Sequence, residues 1–373
     1  MNRINDQIRG SFLGAAAGDA LGSCIREHTV EQILEEFGPY GLQGYAMDNG
    51  YAEISSCTQM ALFTANGLLY GATRGAMRGV MAPYVGYLEL AYKDWLSTQT
   101  YCRTSFSQGR PQGKRYSWLC WEEELHSRRN PDRATMLALE SGKTGTMDEP
   151  ISAARGAAAL ARSFPIGLYA APTRIGRTEA TLLGAESAAL THGDPIGFLP
   201  GAYLANIMTR ICYEKPNSFR SILHEAIKET EAQFAGQFPR QTKNIRELLT
   251  LAEALADDGT EPMDVMEELI PKDAHGVLAA ACYVCLRFPT DFDRGIVAAV
   301  NHSYDSAATG TVAGAMLGAL VGTEGIPDFY LEPLELQSTL LELADDLFQG
   351  CTMTKNSSLF DDTWNEKYVE VTH

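Results

Sequence analysis

Positive charge is scarce in this chain. Thirty Lys and Arg face 47 Asp and Glu, a formal net charge of -17 over 373 residues. That balance repels phosphate backbones and anionic lipid surfaces, so neither nucleic acid nor a membrane is expected as a partner. Long apolar runs are missing as well, and no uninterrupted stretch is long enough to span a bilayer. Met1 to Gln7 lacks the apolar segment of a secretory signal, and the Ala/Gly run behind it is broken by Asp19. Alternation with period two is rare, which argues against a sheet. Cysteine has no framework spacing. The eight cysteines are scattered, and Cys282 and Cys285, one helical turn apart in an apolar run, read as core. A reducing cytoplasm is the compartment this usage suggests.

What the chain does have is helical periodicity. Apolar positions recur at helical spacing over residues 8–21, 59–69, 87–96, 180–190, 201–212, 219–234, 244–255, 277–287, 294–300, 310–321 and 334–348. In the first of these, Gly10, Gly14 and Gly18 are spaced for close backbone packing. Turn signals fall at 111–114, 142–145 and 259–262. None resembles a long linker, and no composition shift divides the chain. A single all-α domain over 1–352 is expected, followed by a polar extension, 353–373, that contains Trp364 and Tyr368.

Five blocks carry something more specific. The first is Gly10 to Gly22, closing on Gly18-Asp19-Ala20-Leu21-Gly22. The second is Ser55-Ser56-Cys57-Thr58-Gln59-Met60. The third runs from Pro150 to Gly167, with Gly156, Arg162, Pro165, Ile166 and Gly167 as its fixed points. The fourth is Leu190-Thr191-His192-Gly193-Asp194-Pro195. The fifth runs from Asn301 through Asp305 to Gly318. In this order they resemble the ADP-ribosylglycohydrolase family, including its nitrogenase-reductase-activating type. The resemblance implies an all-α orthogonal multi-helix bundle. It also implies hydrolysis of a glycosidic bond to ADP-ribose at two Mg²⁺ or Mn²⁺ ions, held by four aspartates and by hydroxyls.

Most of those ligands are absent. Hard divalent cations want oxygen donors with compensating charge. At the matching positions Ser55 keeps a hydroxyl, while Ser56 and Cys57 stand where the family has aspartates. Asp305 is kept, but Ala307 replaces the next aspartate and Ala308 the hydroxyl residue. A thiol at 57 is a soft ligand and a poor one for Mg²⁺. Among the glycines that let backbone approach a ligand, Gly156 remains but is followed by Ala157 and Ala158. Tyr304 stands directly before Asp305, where a small residue belongs and where its ring would fill ligand space. Arg26 occupies the position of an expected acidic residue, with Glu27 beside it.

The scaffold motifs around these changes are intact, so the expected protein is a pseudoenzyme that keeps the fold and acts by binding. Its expected partners are an ADP-ribose-like ligand, an ADP-ribosylated protein or an ADP-ribosyltransferase. No cofactor is expected beyond a weak or single Mg²⁺ on Asp305, Ser55 and Ser56. Ser55, Thr58, Gly156, Tyr304 and Ser306 are the expected ligand-binding positions. The alternative is an active hydrolase of an ADP-ribosyl compound with a rearranged site, for which Glu27 and Asp305 are the catalytic candidates, with Asp48 and Glu53 as further carboxylates near the cleft. Asp19 and His192 read as structural.

Overall fold

A computed structural model describes residues 2–47, 50–100, 114–171, 174–215, 217–354 and 360–371. The described residues are helices joined by loops, with two isolated β-bridges, Ala52 with Leu334 and Gly156 with Asp273. Asp48 and residues 111–113 of one expected turn lie outside the described residues. No described helix is long and apolar enough to cross a membrane.

One helix pair sets the frame. The N-terminal helix, Arg3–Ser23, packs antiparallel on Ser306–Val321 through glycines of both helices. A Cβ on Gly10 would lie 2.2 Å from the carbonyl oxygen of Gly318. The corresponding approach is 2.3 Å from Gly14 to Gly314 and 2.0 Å from Gly18 to Gly310. Gly22 extends the seam, 2.2 Å from the carbonyl oxygen of Ser306. Four contacts one helical turn apart leave no freedom of register, because any side chain in the seam would push the backbones apart. The register sets the C-terminal end of the first helix beside the N-terminal end of the other.

Around this pair lie the longer helices Ser56–Arg78, Tyr84–Thr100, Pro195–Tyr213, Pro239–Asp257 and Ala274–Arg287. The expected helices are present, most of them with extended ends; Phe219–Phe234 has the expected bounds, and the one expected over 334–348 begins only at Gln337. The sequence reading missed short ones, among them Val30–Phe37, Arg133–Glu140 and Pro262–Leu269. Each is eight residues long, too short for a periodic signal to stand out. Cys282 and Cys285 are fully buried in Ala274–Arg287, and burial pushes both thiols up.

The C-terminal segment packs on the body. The Trp364 indole donates to Thr73 Oγ1 at 2.9 Å, and Lys367 donates to Glu342 and Asp346 on Gln337–Gln349. Tyr368, also buried, donates to Asp346 at 2.6 Å.

Candidate functional site

The seam delivers Asp19 to the start of Ser56–Arg78. Asp19 is fully buried. Its Oδ1 accepts from the Ser55 hydroxyl at 2.5 Å, and its Oδ2 accepts the N–H of Ser55 at 2.9 Å and of Thr58 at 3.1 Å. A carboxylate from another helix therefore caps this helix N-terminus. Burial raises the Asp19 pKa, and the bonds from Ser55 and Thr58 act the other way. Asp19 thus fixes the second block from a distance.

The metal-position residues are spoken for. The Ser55 hydroxyl, besides donating to Asp19, accepts the Cys57 N–H at 3.1 Å. The Ser56 hydroxyl donates to the Asn130 carbonyl at 3.1 Å. Cys57 is buried, and burial pushes its thiol far above the ordinary range, so it stays protonated. Ala307 and Ala308 are fully buried and offer no side-chain donor atom.

Asp305 precedes Ser306–Val321 and caps it, Oδ1 accepting the Ala308 N–H at 3.2 Å. Its other partner is Arg26. Asp305 Oδ1 lies 3.2 Å from Arg26 Nε, and Oδ2 accepts from Arg26 Nη2 at 3.3 Å. Two contacts side by side make this the forked geometry of a guanidinium on a carboxylate. Arg26 Nη1 also donates to the Asn130 carbonyl at 3.2 Å. Burial works against the Arg26 charge, but Asp305, with Cys57 and Asp19 adding to it, raises its pKa on balance. The sequence shows an arginine at this position. It gives no sign that the side chain turns back onto Asp305.

Tyr304 and Ser306 flank this pair. The Tyr304 N–H donates to His302 Nδ1 at 3.1 Å, and its ring lies 6.1 Å from the His302 ring. Glu267, which raises the Tyr304 pKa after burial, accepts the Ser303 N–H at 2.7 Å. Tyr304 therefore sits on the Pro262–Leu269 side of the loop. Ser306 is buried and donates to the His302 carbonyl at 3.3 Å.

Gly156 reaches the same region from the other flank. It bridges Asp273, and the nearby Pro271 carbonyl accepts the Asp305 N–H at 3.3 Å. A Cβ on Gly156 would meet only His192 Nε2, at 3.8 Å. His192 is fully buried, with Nδ1 on Thr191 Oγ1 at 2.9 Å and Nε2 3.7 Å from Asp132. Thr191 Oγ1 accepts from the buried Arg162, which stacks 4.3 Å from the Tyr92 ring centroid. Arg162 can only donate, so the Thr191 proton is available to His192 Nδ1. In the tautomer that completes this chain, the imidazole N–H faces Gly156 and Asp132. Burial pulls the His192 pKa down to about 4, keeping the ring neutral.

A cavity of about 370 Å³ opens beside Ser55, lined among others by Ser23, Tyr45, Tyr51, Glu53, Arg128 and Arg129. Ser55 is the one expected ligand position among its lining residues. Glu27 is exposed on the turn after the first helix and is not part of the lining. Glu53 is paired with Arg129 at 2.8 Å. The sequence reading did not single out the loop carrying Arg128, Arg129 and Asn130, although Asn130-Pro131 within it is a turn signal.

A two-metal centre does not fit these residues. Among those described, no group of three or more His, Cys, Asp or Glu is placed to hold a metal ion. The hydroxyls at 55 and 56 are committed to protein acceptors, the thiol at 57 is protonated, and the carboxylate at 305 faces a fixed cation.

The sequence profile of the ADP-ribosylglycohydrolase family matches residues 1–357. No curated protein sequence matches the chain. Among solved structures, one described as an ADP-ribosylglycohydrolase-related protein complex superposes with a TM-score of 0.60 at 23% identity, over 94% of this chain and 99% of that one. At that identity the likeness speaks to fold, which is the same all-α fold. The profile match covers nearly the whole chain, and the chain belongs to the ADP-ribosylglycohydrolase family.

Proposed function

We propose that this family member binds an ADP-ribose-like ligand, free or attached to a protein, without two-metal hydrolysis. The observation that carries the proposal is the donor set at the second and fifth blocks. Ser55 and Ser56 spend their hydroxyls on the protein itself, Cys57 offers only a buried thiol that burial keeps protonated, and Ala307 and Ala308 have no polar side-chain group. Cleaving a glycosidic bond needs an acid or base and stabilisation of an oxocarbenium-like transition state. Removing the family's metal charge from such a site costs on the order of 10³-fold or more in rate. No step of catalysis is assigned to these residues.

Two features support retained binding. Gly156 leaves room in front of the neutral, oriented His192, and the cavity beside Ser55 carries two tyrosines and two arginines, of which Arg129 is held by Glu53 and Glu335 and Arg128 is exposed. Arginines pair with phosphates and tyrosines offer ring faces, so a phosphorylated sugar nucleotide is the ligand class they favour. An ADP-ribosyltransferase is the partner such a protein would meet through a shared ADP-ribosylated target.

Calorimetry with Mg²⁺, Mn²⁺ and ADP-ribose, beside a turnover assay on ADP-ribosyl-arginine protein, tests this reading. Expected are ADP-ribose binding that chelator leaves unchanged, no tight metal binding, and no turnover. Metal-dependent turnover that Asp305→Ala abolishes would establish the active-hydrolase alternative instead.

A further inference from the structure

A cation from a third segment reaches the loops where three carboxylates were expected. Arg26 leaves the turn after the first helix and places Nε 3.2 Å and Nη2 3.3 Å from the two Asp305 oxygens. Its third contact, Nη1 to the Asn130 carbonyl, reaches the loop that also accepts the Ser56 hydroxyl. One guanidinium therefore ties together the end of Arg3–Ser23, the start of Ser306–Val321, and the loop against Ser56–Arg78. The pair is well shielded, with about a fifth of each side chain exposed (20% and 19%).

We propose that Arg26 replaces the divalent cation: the chain carries its own counter-charge for Asp305, covalently attached and permanently present. The argument is electrostatic. A lone carboxylate in a shielded loop junction needs a partner. Two divalent ions need about four carboxylates, and one guanidinium needs one. Loss of the aspartates at 56, 57 and 307 and the presence of arginine at 26 are then one change. With the metals gone, extra carboxylates would repel one another. With Arg26 present, a divalent ion would meet a fixed positive charge at Asp305, the carboxylate it would need. Asn130 adds a neutral acceptor suited to a guanidinium N–H.

This inference rests on the proposed absence of a metal centre, and its test separates the two. The first measurement is the thermal midpoint of Arg26→Ala. Expected is a lower midpoint than wild type, recovered in part by millimolar methylguanidinium and not by the same concentration of KCl. Wild type should show no such gain. An Arg26→Ala protein as stable as wild type, or one that methylguanidinium does not help, overturns the inference.

The second measurement is Mg²⁺ calorimetry on Ser56→Asp/Cys57→Asp/Ala307→Asp with and without Arg26→Ala. Expected is binding on the order of tenfold or more tighter without the arginine. Equal affinity in the two proteins overturns the inference alone. Asp305-dependent Mg²⁺ binding by wild type overturns the proposed function as well. If the restored proteins do not fold, the rescue experiment on the single variant decides.

Discussion

The carboxylate of Asp19 takes both the hydroxyl and the backbone N–H of Ser55, at 2.5 and 2.9 Å. A residue at the end of one helix thereby holds the first residue of the block where metal ligands would be expected. Asp19→Ala leaves the Ser55 and Thr58 N–H groups buried without an acceptor. The expected loss is about 3 kcal/mol or more, measured by urea unfolding. Asp19→Asn keeps one acceptor oxygen and should lose less. If Asp19→Ala unfolds at the wild-type midpoint, the capping role is wrong.

The glycine seam gives a contrast between two alanine substitutions. At Gly18 a Cβ would stand 2.0 Å from the Gly310 carbonyl oxygen, so Gly18→Ala should cost about 3 kcal/mol by forcing the helices apart. At Gly86, exposed near the start of Tyr84–Thr100, a Cβ meets nothing within 4 Å. Gly86→Ala should stabilise by about 0.5–1 kcal/mol through helix propensity. Opposite shifts in thermal midpoint are the expected result, and equal shifts would show that the seam does not constrain packing.

His302 makes folding depend on pH. It is fully buried, its Nδ1 accepts the Tyr304 N–H, and burial pulls its pKa down to about 3 from an ordinary 6.5. Between those values the unfolded chain takes up a proton that the folded one refuses. The stability His302 contributes is therefore complete above pH 6.5 and is lost as pH falls toward 3. The slope is about 1.4 kcal/mol per pH unit. Asp94, raised by burial to about 6, slopes the other way and cancels in a difference measurement. Wild type minus His302→Asn, followed by denaturant unfolding from neutral to acid pH, should show this slope. A flat difference would place the charge change elsewhere.

Arg162 anchors the far side of the site. It donates to the Ser187 carbonyl at 3.0 Å and to Thr191 at 2.8 Å. Arg162→Ala opens a cavity and strands both acceptors, a cost of about 3 kcal/mol or more. Arg162→Lys should recover little of it, since an ammonium cannot stack on Tyr92 and reach both oxygens. Nuclear magnetic resonance of the His192 ring checks the wider claim: in Arg162→Ala the ring should lose its single tautomer while remaining neutral at pH 7.

Helical periodicity and the order of the five blocks were readable one segment at a time, because helix formation, close packing through small residues and capping are local properties. Gly10, Gly14 and Gly18 announced a tight seam before its partner helix was known. The missing ligands at 56, 57, 307 and 308 were equally plain, since a serine or alanine cannot supply a carboxylate in any fold. The short helices were hidden because one or two turns do not establish a period.

By itself, the sequence determined an all-α member of this family, and on that resemblance it led to the expectation of depleted ligand positions. Tertiary structure alone decided what faces Asp305. Arg26 and Asp305 are 279 residues apart, and only the register of the glycine seam brings a guanidinium onto that carboxylate. Charge pairing depends on distance in space, and that distance is set by packing rather than by spacing along the chain.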